Sequence, residues 1–278
     1  MRRISALVLP ALLYAALPAA AQTSLAPQIS GNSVTAKIQL PGGVEADLSI
    51  AFEQVVGLNS NALALSAALI SPSDATLLSR MPDPASFSIP AGFPVLVRID
   101  PTPGSGLSFS GVSRVSLYTH NLTFTAGSPL RLYTAHGGGA FRDMTGSLDP
   151  GSVRAGGNTD CYSEFLIVAD LRPVDKAIAA KFDALQSALS ANASSMPASV
   201  AADLQQRISN ARNLYQAGAL SSAIDAVAAL GDQVKAQSGA SIPDVWRANG
   251  TLANVAGLLR SGADTLKFGL TWKANGAP

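Results

Sequence analysis

From Ser33 to Ala169 apolar and polar positions alternate with a period of two, and from Val174 onward apolar positions recur every three or four residues, so the chain divides near Pro173. The first spacing is that of strands and the second that of helices. The clearest strand pair is a hairpin. Val34, Ala36, Ile38 and Leu40 alternate with Ser33, Thr35, Lys37 and Gln39; after Pro41-Gly42-Gly43, Val44, Ala46, Leu48, Ile50 and Phe52 alternate with Glu45, Asp47, Ser49 and Glu53. A three-residue loop sets Ile38 opposite Ala46 and Lys37 opposite Asp47, which puts both apolar sets on one face and pairs unlike charges on the other. A two-residue loop would set Ile38 against Asp47, a slip that one buried face forbids.

Further strands are predicted over Leu63–Ile70, Pro94–Asp100, Arg114–Phe124 and Leu130–Ala135, the last two as a second hairpin. Phe165 to Ala169 is apolar on both faces and predicts a central strand. Short strands punctuated by Gly, Pro, Ser and Asp, with no helical pattern between them, predict an antiparallel β-sandwich. Beyond Pro173, Val174, Ile178, Phe182, Leu185 and Leu189 mark one helix face, broken at Asn192–Pro197. Val200, Leu204, Ile208, Ala211 and Tyr215 mark a second, stopped by Gly218. Ile224, Val227, Gly231 and Val234 mark a third, capped by Ser221 or Ser222 and followed by Gly239, and Ile242–Leu266 carries a fourth. Amphipathic helices with short links predict a small bundle. The expected architecture is therefore α+β: a linker at 22–29, an N-terminal antiparallel β-sandwich over 30–171, a C-terminal helical hairpin or bundle over 174–268, and a tail at 269–278.

The first 21 residues stand apart. Arg2 and Arg3 precede an apolar run from Ile4 to Leu17, and Ala19-Ala20-Ala21 offers a small-residue cleavage site before Gln22. This pattern predicts a secretory signal peptide and an exported protein, periplasmic or extracellular. No later apolar run is long enough to span a bilayer. Charged residues make up 13% of the chain, 19 basic against 18 acidic, and removal of Arg2 and Arg3 leaves a net charge of about −1. Such a balance has no basic face for nucleic acid. Cys161 is the single cysteine, so an intrachain disulfide and cysteine-rich zinc sites are ruled out. It reads as a small buried apolar residue.

Candidate chemistry is sparse. His136-Gly137-Gly138-Gly139 spells the HGGG of lipase and esterase oxyanion holes, but that motif serves a nucleophilic serine on a GxSxG turn. The nearest match, Gly106-Leu107-Ser108-Phe109-Ser110, lacks the second glycine, and no helix is predicted beside it. The glycines read as a loop between strands, and no Lys-Ser/Thr follows to make a phosphate loop. In the second hairpin His120 would face Thr134, and His136 would lie diagonal to it at roughly 7–8 Å between Cα atoms, a spacing at which the two imidazoles could share a metal. Asp143, Asp149, Asp160 and Glu164 cluster near the last strands, where an acid–base pair for a glycan or ester hydrolase is conceivable; turn formation, as at Asp149-Pro150-Gly151, is the plainer reading. No spaced DxDxDG loop for calcium is present. Trp246 and Trp272 could stack on a sugar, although Trp246 is expected to pack beside Val245 in the helical region. Asn121-Leu122-Thr123, Asn192-Ala193-Ser194 and Asn249-Gly250-Thr251 match the glycosylation triplet.

Two resemblances attach to these stretches. Leu130–Asp170, with Leu130 to Tyr133, Gly137 to Gly139, Phe141 to Thr145, Ser163 and Phe165, resembles the terminal strands of a β-sandwich module of exported bacterial proteins, which implies a spacer or binding role. Lys181–Leu266, with Leu204, Ile208, Ala211, Gly218, Ala223-Ile224, Val227, Val234, Gly239 and Ile242, resembles the FIMAH-type helical module, whose implied role is interaction; Gly231 departs from that pattern, where a bulky residue is usual. Neither implies catalytic residues or a cofactor. The residues weigh against an enzyme and toward an interaction or structural protein of the bacterial envelope or extracellular space. Its expected partner is an envelope or extracellular protein or glycan. Hydrolysis through the acids at 143–164 and metal-dependent binding through His120 and His136 are the two alternatives.

Overall fold

The computed structural model describes residues 22–276 apart from 126, 150 and 251. The expected signal peptide lies outside the described residues, as do Pro150 of the expected turn and Thr251 of the third glycosylation triplet. The strands are β1 (Thr23–Leu25), β2 (Gln28–Ser30), β3 (Ser33–Leu40), β4 (Val44–Val56), β5 (Leu63–Leu69), β6 (Phe87–Ser88), β7 (Val95–Pro101), β8 (Ser108–Thr123), β9 (Leu130–Ala135), β10 (Arg142–Asp143), β11 (Ser147–Asp149), β12 (Ser152–Thr159), β13 (Glu164–Asp170) and β14 (Val245–Arg247). The helices are α1 (Ala75–Leu78), α2 (Val174–Asn192), α3 (Ala198–Gln216), α4 (Leu220–Gln237) and α5 (Val255–Ala274). All strand pairing is antiparallel, in two sheets. The first runs β1-β5-β7-β13-β9-β10, with β6 on β13; the second runs β11-β12-β8-β4-β3-β2, with β14 on β8. The fold is α+β, with the helices concentrated in the C-terminal half.

The first hairpin has the expected register, Lys37 opposite Asp47 and Ile38 opposite Ala46. Its loop turns through Gly42 and Gly43, both at positive φ, a region that costs glycine nothing. One face of each sheet feeds a single apolar cluster: Val34, Ile38, Leu48, Ile50, Val115 and Leu117 from the second, Leu65, Val97, Ile99, Leu132, Phe165 and Ile167 from the first. The other face of the first sheet is buried as well. There Leu96, Tyr133, Leu166 and Val168 pack beneath Leu77, Met81, Phe87 and Phe141. Strand β13 is thus enclosed on both sides, which is why it carries no polar alternation.

The second hairpin is not formed. Strand β8 pairs with β4, β12 and β14, whereas β9 pairs with β13 and β10, so the segment between them crosses from one sheet to the other. Leu132 faces Ile167 instead of Leu122, and Thr134 faces Phe165 and Arg142 instead of His120. Alternation specifies which face a strand buries but not which neighbour it joins. The expected linker at 22–29 supplies strands β1 and β2, and the four-residue helix α1 interrupts the strand-rich region.

Helices α2 to α5 share a second apolar cluster that includes Ile178, Phe182, Leu185, Leu204, Ile208, Val227, Leu230, Leu259 and Leu266. Stops at Gly218 and Gly239 are observed, each at positive φ. The serine caps are not. Helix α4 starts after Ala219 with no side-chain cap, and α2 and α3 start after Pro173 and Pro197. Proline carries no N–H, and its fixed φ suits a helix entrance. The fourth helix begins at Val255, not Ile242, because Val245–Arg247 returns to the second sheet as β14. Trp246 accordingly packs on Phe109 and Tyr162 within the sheet core, not among helices. Residues 269–274 of the expected tail form the end of α5, where Leu270 is buried. No described helix is long and apolar enough to cross a membrane.

Candidate functional site

The residues singled out in the sequence fall in three places. His120 stands exposed on β8, with Ser152 Oγ 2.6 Å from its Nδ1 and its ring edge-on to Tyr118. His136 stands exposed just beyond β9, its Nδ1 3.0 Å from the Tyr162 carbonyl oxygen. They belong to different sheets, so the diagonal geometry that would let them share a metal is not formed, and among the described residues no group of three or more His, Cys, Asp or Glu is arranged to hold a metal. The HGGG segment is a turn. Gly139 N–H donates to the His136 carbonyl at 2.9 Å, Arg80 Nε holds the Gly139 carbonyl at 2.8 Å, and the chain continues into the two-residue strand β10 rather than a helix.

The acids are separated by their partners. Glu164, at the start of β13, is gripped by Arg80 and lies 3.2 Å from Arg98. Burial would raise its pKa, but the two guanidinium groups outweigh burial and hold it below the usual range. Asp160 pairs with Arg142. Asp149 is exposed, 4.0 Å from Arg154. Cys161 sits beside Asp160 and Arg142; burial and then the Asp160 charge push its thiol up to about 12, so it stays protonated and unreactive at neutral pH.

Asp143 has the most unusual setting. It projects from β10 toward α2, where its Oδ2 lies 2.7 Å from Lys181 Nζ, and both side chains are more than nine-tenths buried. The other carboxylate oxygen accepts the Thr145 N–H at 2.8 Å. Lys181 also donates to the carbonyl and hydroxyl oxygens of Thr265 on α5, at 3.0 and 2.9 Å. Burial acts against both charges. For Asp143, Lys181 and Thr145 outweigh it and the pKa falls; for Lys181 burial prevails over Asp143 and the pKa also falls.

A second ion pair lies nearby at the end of β13. Arg172 grips Asp170 through Nε at 2.8 Å and Nη2 at 2.6 Å, a bidentate geometry with both side chains buried. Tyr133 on β9 joins it, its hydroxyl donating to Asp170 Oδ2 at 3.1 Å and accepting from Arg172 Nη2 at 2.9 Å. Burial and the two aspartates push the Tyr133 hydroxyl far above its usual value, so it remains a neutral bridge.

Arg131, also on β9, completes the group. Its Nη1 donates to the carbonyls of Ser128 and Leu130, at 2.9 and 2.6 Å. Its guanidinium carbon lies 4.6 Å from the Trp272 ring centroid and 5.3 Å from that of Phe268, both on α5. Burial lowers its pKa, and Asp143 and Asp170 only partly offset this. Arg131, Asp143, Asp170, Arg172, Lys181 and Trp272 line a cleft of about 390 Å³ between β9, α2 and α5. A more apolar cleft of about 360 Å³, with Phe141, Met144, Ala184, Leu185 and Leu258, adjoins it across Asp143, Arg172, Ala177 and Lys181.

Sequence reasoning named Asp143 and Trp272 but missed their companions. Lys181 follows Ile178 by three residues and so falls on the apolar face of α2, a legible anomaly. Arg131 and Arg172 carried no such signal, since each sits at the end of a strand where a charge is ordinary. The cleft has what binding needs: an apolar body with a few fixed polar groups. Among the described residues, the two acids that line it, Asp143 and Asp170, each have a cation partner. No curated protein and no solved structure matches the chain. A family of unknown function, DUF6689, matches residues 9–274, the strands and the helices together, and the chain belongs to that family.

Proposed function

We propose that this is an exported binding protein without catalytic activity, in which two face-packed sheets form a β-sandwich and the helices at 174–268 present the interaction surface. The signal-peptide pattern of residues 1–21 supports export. The observation that carries the non-enzymatic reading is the pairing of the acids. A general acid at neutral pH needs a raised pKa, and a general base needs a free carboxylate within reach of substrate. Asp143, Asp160 and Glu164 are each engaged by a cation, and Asp143 and Glu164 are held below their ordinary values. The apolar spacing shared with FIMAH-type modules supports an interaction role for the helices. A protein or glycan of the envelope or extracellular space is the partner class that this reading assigns.

Cell fractionation with N-terminal sequencing tests the first half: the protein should be recovered outside the cytoplasm and begin at Gln22. Chromogenic esters and glycosides assayed from pH 4 to 9 test the second half. No turnover above background is expected; a rate abolished by Asp143→Asn or Glu164→Gln in a folded protein would make this a hydrolase.

A further inference from the structure

We infer that the cleft between β9, α2 and α5 binds a small organic carboxylate with an apolar body, whose carboxylate pairs with Arg131 and whose body lies against Trp272. The inference rests on reading the chain as a binding protein. Arg172 and Lys181 each have a carboxylate at hydrogen-bond distance, and among the described residues Arg131 has none. It is nonetheless half-buried, and its two hydrogen bonds, both from Nη1, go to neutral carbonyls. Aromatic faces attract a cation but do not neutralise it. Placing an unneutralised guanidinium in a half-buried cleft costs stability, and a bound anion would recover that cost.

The chemistry of the anion follows from what surrounds it. Arg131, Arg172 and Lys181 face Asp143 and Asp170 across one cleft, an excess of one positive charge. One negative charge balances it, whereas a dianion such as hydrogen phosphate would be repelled by the two aspartates. Among the described residues Arg131 makes no hydrogen bond through Nε or Nη2, the edge of the fork that matches a planar carboxylate. Val174, Ile178 and Trp272 supply an apolar wall. The volume, about 390 Å³, admits a molecule of benzoate or hexanoate size with room to spare.

The test titrates sodium benzoate and sodium hexanoate into the chain from residue 22 onward, at constant ionic strength. Tryptophan fluorescence and the melting temperature are followed, with benzylamine and inorganic phosphate as controls. Both carboxylates should give saturable fluorescence changes and raise the melting temperature, with neither control doing so. Arg131→Gln should weaken binding at least tenfold and Arg131→Lys less, because the lysine keeps charge but loses the fork. Should Arg131→Gln fail to fold, Trp272→Leu takes its place with loss of affinity expected. Absence of a saturable response to either carboxylate, equal binding by a folded Arg131→Gln, or a preference for phosphate would overturn the inference. Release of benzoate from ethyl benzoate by the same protein would overturn the non-enzymatic reading instead and leave the carboxylate site standing.

Discussion

The apolar cluster that both sheets feed and the seam where α2 and α5 meet β9, β10 and β13 are both buried, yet they are built from opposite materials. The first is apolar and aromatic: Phe52, Phe109, Tyr162 and Trp246 meet edge to face or tilted at 5.3 to 5.9 Å between centroids, surrounded by aliphatic side chains. The second buries Lys181 with Asp143 and Arg172 with Asp170, and adds Arg131, which has no carboxylate partner among the described residues. Apolar burial stabilises wherever it occurs, at about 25 cal/mol per Å². A buried ion pair contributes little net stability, because desolvating two charges consumes most of their attraction. The sheet core is therefore built for stability, and the seam is built at a cost that structure alone does not repay. That asymmetry is what marks the seam as the place to look for function.

The largest effect is expected from splitting the seam's central pair. Lys181→Met leaves Asp143 buried without a cation and should cost about 3–5 kcal/mol in denaturant unfolding, while Lys181→Met with Asp143→Leu should recover most of the loss. A double variant as unstable as the single would mean that the pair itself stabilises, and the contrast with the core would fail. Next comes a glycine where the chain makes a close approach. A Cβ on Gly157 of β12 would overlap the Met144 carbonyl, which is backbone and cannot swing aside. Gly157→Ala should cost about 3 kcal/mol in the same measurement.

Acid should weaken the buried ion pairs before the apolar core. Asp143 and Glu164 titrate lower in the folded protein than their ordinary values of 3.8 and 4.5. Their folded state binds fewer protons than the unfolded one, so the stability they contribute is complete above those values and is lost as pH falls through the folded ones. The melting temperature should drop on acidification below about pH 4.5, and less so in Glu164→Gln. A flat profile from pH 5 to 2 would show that these pairs contribute nothing. The smallest effect has the opposite sign. Burial raises the pKa of Asp264 on α5, with the Asn158 amide only partly offsetting it. The folded state then holds the proton more tightly than the unfolded one, and stability falls as pH rises above 3.8. Asp264→Asn should stabilise by a few tenths of a kcal/mol at pH 7 and not at pH 3.

Much of the fold was legible because one buried face imposes a period. The hairpin register of Lys37 with Asp47, the enclosure of Phe165–Ala169, and the apolar faces of α2 to α4 all follow from spacing along a few consecutive residues. The serine cap failed because α4 already starts at Leu220, after Ala219 and with no side-chain cap, so that Ser221 and Ser222 lie inside the helix, and β14 was hidden because three residues are too few to show a period.

What the sequence determined by itself is local: which residues turn inward, where glycine must end a helix, and that His136-Gly137-Gly138-Gly139 turns the chain. What only the tertiary structure decided is partnership. Arg131, Asp143, Asp170, Lys181 and Trp272 are spread over more than half of the chain, and nothing in their spacing announces that they meet. They meet because β9 and β13 are neighbours in one sheet and α2 and α5 pack beside its edge. Alternation cannot choose neighbours, because every strand with one apolar face satisfies it equally. The choice between β8 and β13 as the partner of β9 rests on burying both faces of β13, and that requires the whole assembly at once.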